Sequence, residues 1–152
     1  MAWMIIRVRG TIHAQHDIRR TLDLLNLHRP NNATIVPERG EFKGMLASVQ
    51  GYVTWGEAEP ETVTELLKAR GEVEGGGDLA ESDLSRVTGS KDLGELTRSV
   101  LEGGLSRARG MKPIFRLKAP KGGWRSTKKP FSLGGALGYR GRAINDLARK
   151  ML

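Results

Sequence analysis

Apolar side chains at every second position predict a β-strand at the start of the chain. Within 3–9 the even-numbered positions are apolar and would share one face of an extended segment. Two more short apolar runs, 33–37 and 52–55, have Pro, Asn or Gly residues at or near their ends and predict two further strands.

Apolar residues at helical spacing separate these strands. Isoleucine and leucine recur at i, i+4 and i+7 within 16–26 and predict a helix there. A second, shorter helix would bury Met45, Leu46 and Val49. The order β-α-β-α-β thus fills residues 1–56. Because both crossovers are short, we expect an α+β sandwich, a small sheet with two helices packed on one face.

The pattern changes after Gly56. Carboxylates become frequent, a glycine-rich loop occupies 71–78, and short helices are predicted at 62–70, 82–87 and 93–101. Later, 114–118 predicts a fourth strand at a sheet edge and 142–151 an amphipathic helix. We therefore expect three parts: a β-α-β-α-β core at 1–56, an acidic helical insertion at 57–110, and a basic segment with a C-terminal helix at 111–152.

Charge divides the chain in a related way. The net charge is +8 and the isoelectric point is about 10.2, which favours an anionic partner. Residues 1–56 carry a net charge of +3, residues 57–104 carry −7, and residues 105–152 carry +12. The sequence therefore predicts one acidic end and one anion-binding end.

Nine of the 13 basic residues of 105–152 lie in residues 111–142, which we call the strap. It is rich in Lys and Arg, contains no Asp or Glu, and has Phe115, Trp124, Phe131 and Tyr139 spaced among its charges. Such a segment cannot bury enough apolar surface to form a separate core. We expect it to take its shape from a polyanion and to be mobile in the free protein.

No arrangement of residues predicts catalysis, a metal or a cofactor. The chain has no cysteine, and the paired His13 and His16 have no third ligand nearby. The glycine pairs fit neither phosphate-loop nor dinucleotide patterns, and no serine lies in a nucleophile motif. No apolar run reaches membrane-span length and no signal peptide is evident. We expect a cytosolic protein that is not an enzyme and takes no small-molecule substrate.

Basic, aromatic and glycine residues together predict RNA binding by the strap. Lys and Arg neutralise phosphates, aromatic rings stack on unpaired bases, and glycines allow close backbone approach. Two earlier loops add weaker candidates. The full set is Arg29, Asn31, Arg39, Lys43, Lys118, Lys121, Gly122, Gly123, Trp124, Arg125, Lys128, Lys129, Arg140 and Arg142. The alternative is a solvated, disordered basic tail.

Several motifs resemble a known family, the ribosomal large-subunit protein thirty, in its longer archaeal type; the eukaryotic relative is large-subunit protein seven. The first group of motifs is R-V-R-G at 7–10, T-L-D-L-L-N-L at 21–27, N-N-A-T-I-V-P at 31–37, K-G-M-L at 43–46 and Y-V-T-W-G-E at 52–57. The second group, typical of the long form, is F-R-L-K-A-P-K-G-G-W at 115–124, S-L-G-G-A-L-G-Y-R at 132–140 and I-N-D-L-A-R-K-M-L at 144–152.

This resemblance implies an antiparallel β-α-β-α-β core related to the ferredoxin-like arrangement. It also implies a structural component of the large ribosomal subunit, with ribosomal RNA and neighbouring ribosomal proteins as partners. Two alternatives stay open at this point. One is a free regulatory RNA-binding protein, and the other is an enzyme acting on RNA.

Overall fold

A central five-stranded sheet organises the chain in a computed structural model that describes residues 2–74, 77–79, 89, 91–105 and 110–152. The strands are β1 (Ala2–Arg7), β2 (Asn32–Pro37), β3 (Val53–Glu57), β4 (Phe115–Arg116) and β5 (Gly138–Tyr139), in the spatial order β4-β2-β1-β3-β5. Both neighbours of β1 run antiparallel to it, β4 is antiparallel to β2, and β5 is parallel to β3.

Five described helices pack around this sheet. They are α1 (His16–Leu24), α2 (Gly40–Val49), α3 (Pro60–Arg70), α4 (Leu93–Gly103) and α5 (Ala143–Met151), with a short 3-10 turn at Phe131–Leu133. None of the described helices combines the length and the apolar character that crossing a bilayer requires.

Both faces of the sheet are buried. Met4 and Ile6 of β1 pack among side chains of α3, α4 and α5, whereas Ile5 between them packs among side chains of α1 and α2. Apolar side chains on both faces of β1 need a cover on each side, because exposed apolar surface is unfavourable. The fold is therefore three layers: α1 and α2, the sheet, and α3 to α5.

The predicted α+β class is confirmed, and so is the β-α-β-α-β order over 2–57. The predicted sandwich was incomplete, however. It placed helices on one face of the sheet, whereas α3 to α5 form a second helical layer on the opposite face. The strand predicted at 114–118 pairs with β2 at the sheet edge, but only over Phe115–Arg116. The helix predicted at 82–87 lies outside the described residues, and β5 was not predicted.

The strap also differs from expectation, because it is hydrogen-bonded and packed onto the rest of the protein. Phe115 has no exposed surface, and Leu117, Ala136 and Leu137 are buried. The strap forms no core of its own. Phe115 and Leu117 join the cluster between the sheet and α3 to α5, and Ala136 and Leu137 form a small second cluster with Val8, so few apolar residues suffice to hold the strap.

A buried arginine fixes the loop that precedes β2. Arg7 is only 4% exposed and donates to the carbonyl oxygens of Leu27 at 3.0 Å and Arg9 at 2.9 Å. Its own carbonyl accepts from the Asn31 N–H at 2.8 Å. Burial lowers the pKa of Arg7, an effect that the charge of Asp23 opposes. This network sets where Arg29 and Asn31 emerge.

Candidate nucleic-acid interface

The strap crosses one end of the sheet, the end at which β1 stops and β2 and β3 start; we call this the strap end. The Leu117 N–H donates to the Asn31 carbonyl oxygen at 3.3 Å, beside the start of β2. The N–H groups of Lys118 and Lys121 then donate to the carbonyls of Met151 and Lys150, each at 3.0 Å. The strap thereby satisfies carbonyls at the C-terminus of α5, which have no partner within the helix.

The second half of the strap closes on itself at the opposite edge of the sheet. The Ala136 N–H donates to the Ser126 carbonyl at 3.0 Å, and the Leu137 N–H donates to the Lys129 carbonyl at 3.2 Å. The chain then enters β5 and pairs with β3. Because β4 and β5 are the two outer strands, the strap spans about 19 Å across the sheet.

This arrangement collects exposed cations on one surface. Five come from the strap, one from the loop before β2 and one from the last turn of α5: Lys118, Lys121, Arg125, Lys128, Lys129, Arg29 and Lys150. Within the described part of the chain, none of the seven forms an ion pair with a carboxylate. Two other strap cations, Lys112 and Arg116, lie 3.1 Å and 3.9 Å from Glu72.

Trp124 lies in the middle of this surface. It is half-buried and packs against two apolar clusters of the core, which fixes the position of its ring. Gly122 and Gly123 before it have φ values of 84° and 76°, a region that favours glycine, and the Gly123 N–H donates to the Pro120 carbonyl at 2.9 Å. The glycine pair therefore forms the tight turn that brings Trp124 onto the surface.

Arg140, predicted to contact RNA, mainly stabilises the fold through contacts within the protein. Its Nε donates to Thr54 Oγ1 and its Nη2 to the Ala136 carbonyl, both at 2.7 Å. Its guanidinium carbon lies 4.8 Å from the centre of the Phe131 ring. Burial lowers the pKa of Arg140 to about 10. These contacts tie the loop at 126–137 to β3, so Arg140 positions the neighbouring cations.

The remaining candidates lie away from the strap end. Arg39 follows β2, whose six residues span about 20 Å from the strap end, and Lys43 is in the first turn of α2. Arg142 shares a surface depression with Glu57, Glu59 and Glu61. The structure thus divides the predicted residues into a large group at the strap end and a few near the other end.

Lys150 was missed by the sequence analysis. Its helix was predicted, and the two consecutive basic residues of its last turn, Arg149 and Lys150, were a signal that went unused. Arg149 lies 3.6 Å from Glu65 and is therefore paired, whereas Lys150 lies beside the strap. Only the fold reveals that difference.

Asn31 contributes through its backbone rather than as a simple surface donor. It has a φ of 69°, and its Oδ1 is buried without a hydrogen-bond partner among the described residues. His13 and His16 are both exposed. Among the described residues, no three His, Cys, Asp or Glu side chains cluster as metal ligands.

Comparison with known proteins agrees with this picture. Residues 3–53 match the model of the family described as ribosomal protein L30p/L7e. The large ribosomal subunit protein uL30 of Methanopyrus kandleri is 43% identical over 149 residues, which cover 95% of this chain and all of the relative. The uL30 proteins of Korarchaeum cryptofilum (42% identity, 97% and 93% coverage) and Nanoarchaeum equitans (40%, 95% and 95%) are similar.

These matches define the class as that of ribosomal proteins. The similarity extends over the strap and α5, well past the segment that the family model covers. The chain belongs to the ribosomal protein L30p/L7e family. This confirms the resemblance noted from the motifs and, since the relatives are ribosomal proteins and not enzymes, the expectation that the chain is not an enzyme.

Proposed function

We propose that this protein is a structural constituent of the large ribosomal subunit, on ribosomes of the cytoplasm, and binds ribosomal RNA through the strap end. The archaeal relatives that match it over nearly their whole length are named as large-subunit proteins. The observation that supports the RNA contact is the row of exposed cations across the end of the sheet, none of which forms an ion pair with a carboxylate of the described residues. When such a surface binds RNA, counterions condensed on the phosphates are released, and this release supplies most of the affinity.

The strap end recognises the shape and phosphates of folded RNA. A paired RNA helix hides its base edges in a deep, narrow major groove, so backbone contacts dominate. A row of cations about 19 Å long follows a phosphate backbone without needing base-specific contacts. Preorganisation favours this role, because the hydrogen bonds to Asn31, Lys150 and Met151 already hold the strap backbone.

Arg39 and Lys43 supply a second, smaller contact in this proposal. Arg39 is the residue before α2 and Lys43 lies in its first turn, where free N–H groups and the helix dipole favour anions. The distance from the strap end means that a second RNA segment would occupy this position.

The acidic surface of α3 and α4 faces away from RNA. Exposed carboxylates on these two helices include Glu61, Glu65, Glu95 and Glu102, and like charges would repel phosphates. This surface therefore faces solvent or a basic neighbouring protein of the subunit.

Sedimentation tests this proposal against the alternative of a free regulatory RNA-binding protein. A tagged copy of the chain should co-sediment with large subunits through a high-salt cushion. Recovery mainly among free proteins, with RNA binding intact, would favour the alternative. Turnover of labelled RNA by the purified chain would instead revive an enzymatic role.

A further inference from the structure

A surface groove lies between the strap and α5. Its volume is about 280 Å³, near the lower end of the range for small-ligand pockets, about 300–1,000 Å³. One wall carries Lys121, Trp124 and Arg125 from the strap, and the other carries Asp146 and Lys150 from α5. Phe131 and Arg140 also line it, so two aromatic rings, several cations and one carboxylate surround a space of small-molecule size.

The two ends of the groove differ in charge. On α5 the lining residues are Ala143, Asp146, Leu147 and Lys150, which lie on one face of the helix at i, i+3, i+4 and i+7. The Lys121 N–H donates to the Lys150 carbonyl, so both lysines stand at the C-terminal end of α5. Asp146 lies one turn earlier, with its Oδ1 3.7 Å from Arg149 Nη1. The groove thus has a basic end and, about 6 Å away, a hydrogen-bond acceptor.

Trp124 gives the groove its third chemical feature. Its ring is anchored in the core on one side and lines the groove on another. In RNA-binding proteins, unstacked bases commonly stack on aromatic rings that lie beside basic side chains. A site for an anion alone would not need the ring and would be weakened by Asp146.

We propose that this groove seats a single unstacked nucleotide of RNA. Its phosphate lies against Lys121 and Lys150, and its base lies against Trp124. Asp146 accepts a hydrogen bond from an amino group of the base, which favours adenine, cytosine or guanine over uracil. The proposal rests on the proposed function, since it adds one base-selective contact to a surface that otherwise holds phosphates.

Fluorescence of Trp124 tests this directly. In a Trp3→Phe, Trp55→Phe variant of the full chain, Trp124 is the only tryptophan left. Adenosine 5′-monophosphate should quench it saturably, uridine 5′-monophosphate and adenosine more weakly, and inorganic phosphate should not quench it. Absence of saturable quenching by the adenine nucleotide would overturn the proposal. An equal affinity for inorganic phosphate would reduce the groove to an anion site and overturn it too.

Two single substitutions in the same background locate the effect. Ala143→Leu fills the groove without changing charge and should weaken nucleotide binding about 5- to 150-fold, the range for losing one stacked base. Lys150→Ala should weaken binding of the nucleotide but not of adenosine, whereas Lys68→Ala, at an exposed position on α3, should change neither. Thermal unfolding confirms that each variant is folded.

Binding of large-subunit ribosomal RNA by the same samples separates the two proposals. Salt-sensitive RNA binding without any response to nucleotides would support the proposed function and refute the nucleotide site in the groove. Failure of the unsubstituted chain to bind RNA would refute the proposed function itself.

Discussion

Removing charge from the strap end should flatten the salt dependence of RNA binding. The perturbation is the triple variant Lys121→Gln, Arg125→Gln, Lys128→Gln, which takes three exposed cations from the strap. The matched control changes two lysines and one arginine that are equally exposed on or beside α3 and α4: Lys68→Gln, Lys91→Gln and Arg98→Gln. Both variants lose the same net charge, so a difference between them reports position.

The expected magnitude follows from the seven exposed cations at the strap end. Each phosphate neutralised contributes about 0.7 to 0.9 to the slope of log affinity against log salt. Between about 50 and 200 mM salt, seven contacts predict a loss of affinity of about 900- to 6,000-fold. The strap variant keeps four contacts, for which the loss is only about 50- to 150-fold.

Filter binding to transcribed large-subunit ribosomal RNA, over that salt range, measures these slopes. The control variant should retain the slope of the unsubstituted chain within error. Equal reduction by the two triple variants would show that only net charge matters and would refute the role of the strap end. A slope unaffected by either would refute the electrostatic account altogether.

Three further predictions concern the fold that carries this surface. Phe115→Ala should lower the free energy of unfolding by about 3–5 kcal/mol, whereas Phe131→Ala, on a ring 40% exposed, should cost about 1 kcal/mol or less, as measured by denaturant unfolding. The Tyr139 hydroxyl donates to Glu57, and this hydrogen bond raises the pKa of Tyr139. Glu57→Gln should therefore lower the pKa of Tyr139 in NMR titrations. In the unsubstituted chain, the stability from this bond should be lost as the pH rises through the pKa of Tyr139. Gly44→Ala, in open space on α2, should raise the free energy of unfolding by about 0.5–1 kcal/mol, and a decrease would contradict the assigned helix.

The first three strands and the helices between them were predictable because their signals are local. The apolar side chains at every second position of 4–8 and the helical spacing in α1 each lie within a few consecutive residues. The second helical layer required knowing that β1 buries both faces. Its apolar residues at successive positions, Met4, Ile5 and Ile6, indicate this, although such a run is also compatible with other structures.

The path of the strap was not predictable for the opposite reason. The pairing of β5 with β3 involves only two residues of each strand and joins segments 84 residues apart, as at Thr54 and Gly138. Gly135 shows a related constraint, since a β-carbon there would lie 1.9 Å from the Lys129 carbonyl oxygen. No periodicity records such a close approach.

Charge predicted which segment carries the candidate interface but not what each cation does in the fold. In the sequence, Arg140 and Lys128 are equally plausible phosphate ligands. The structure buries the guanidinium of Arg140 against Thr54, which lies 86 positions earlier, and leaves Lys128 exposed. The residue type therefore indicates which side chains are able to bind RNA, and the tertiary contacts determine which of them are available to do so.

Crosslinking of lysines to ribosomal RNA in intact large subunits tests the central claim most directly. Lys118, Lys121, Lys128 and Lys129 should crosslink to RNA, whereas Lys68 and Lys91 beside the acidic helices should not. RNA crosslinks concentrated at Lys68 and Lys91, with the strap lysines free of them, would contradict it.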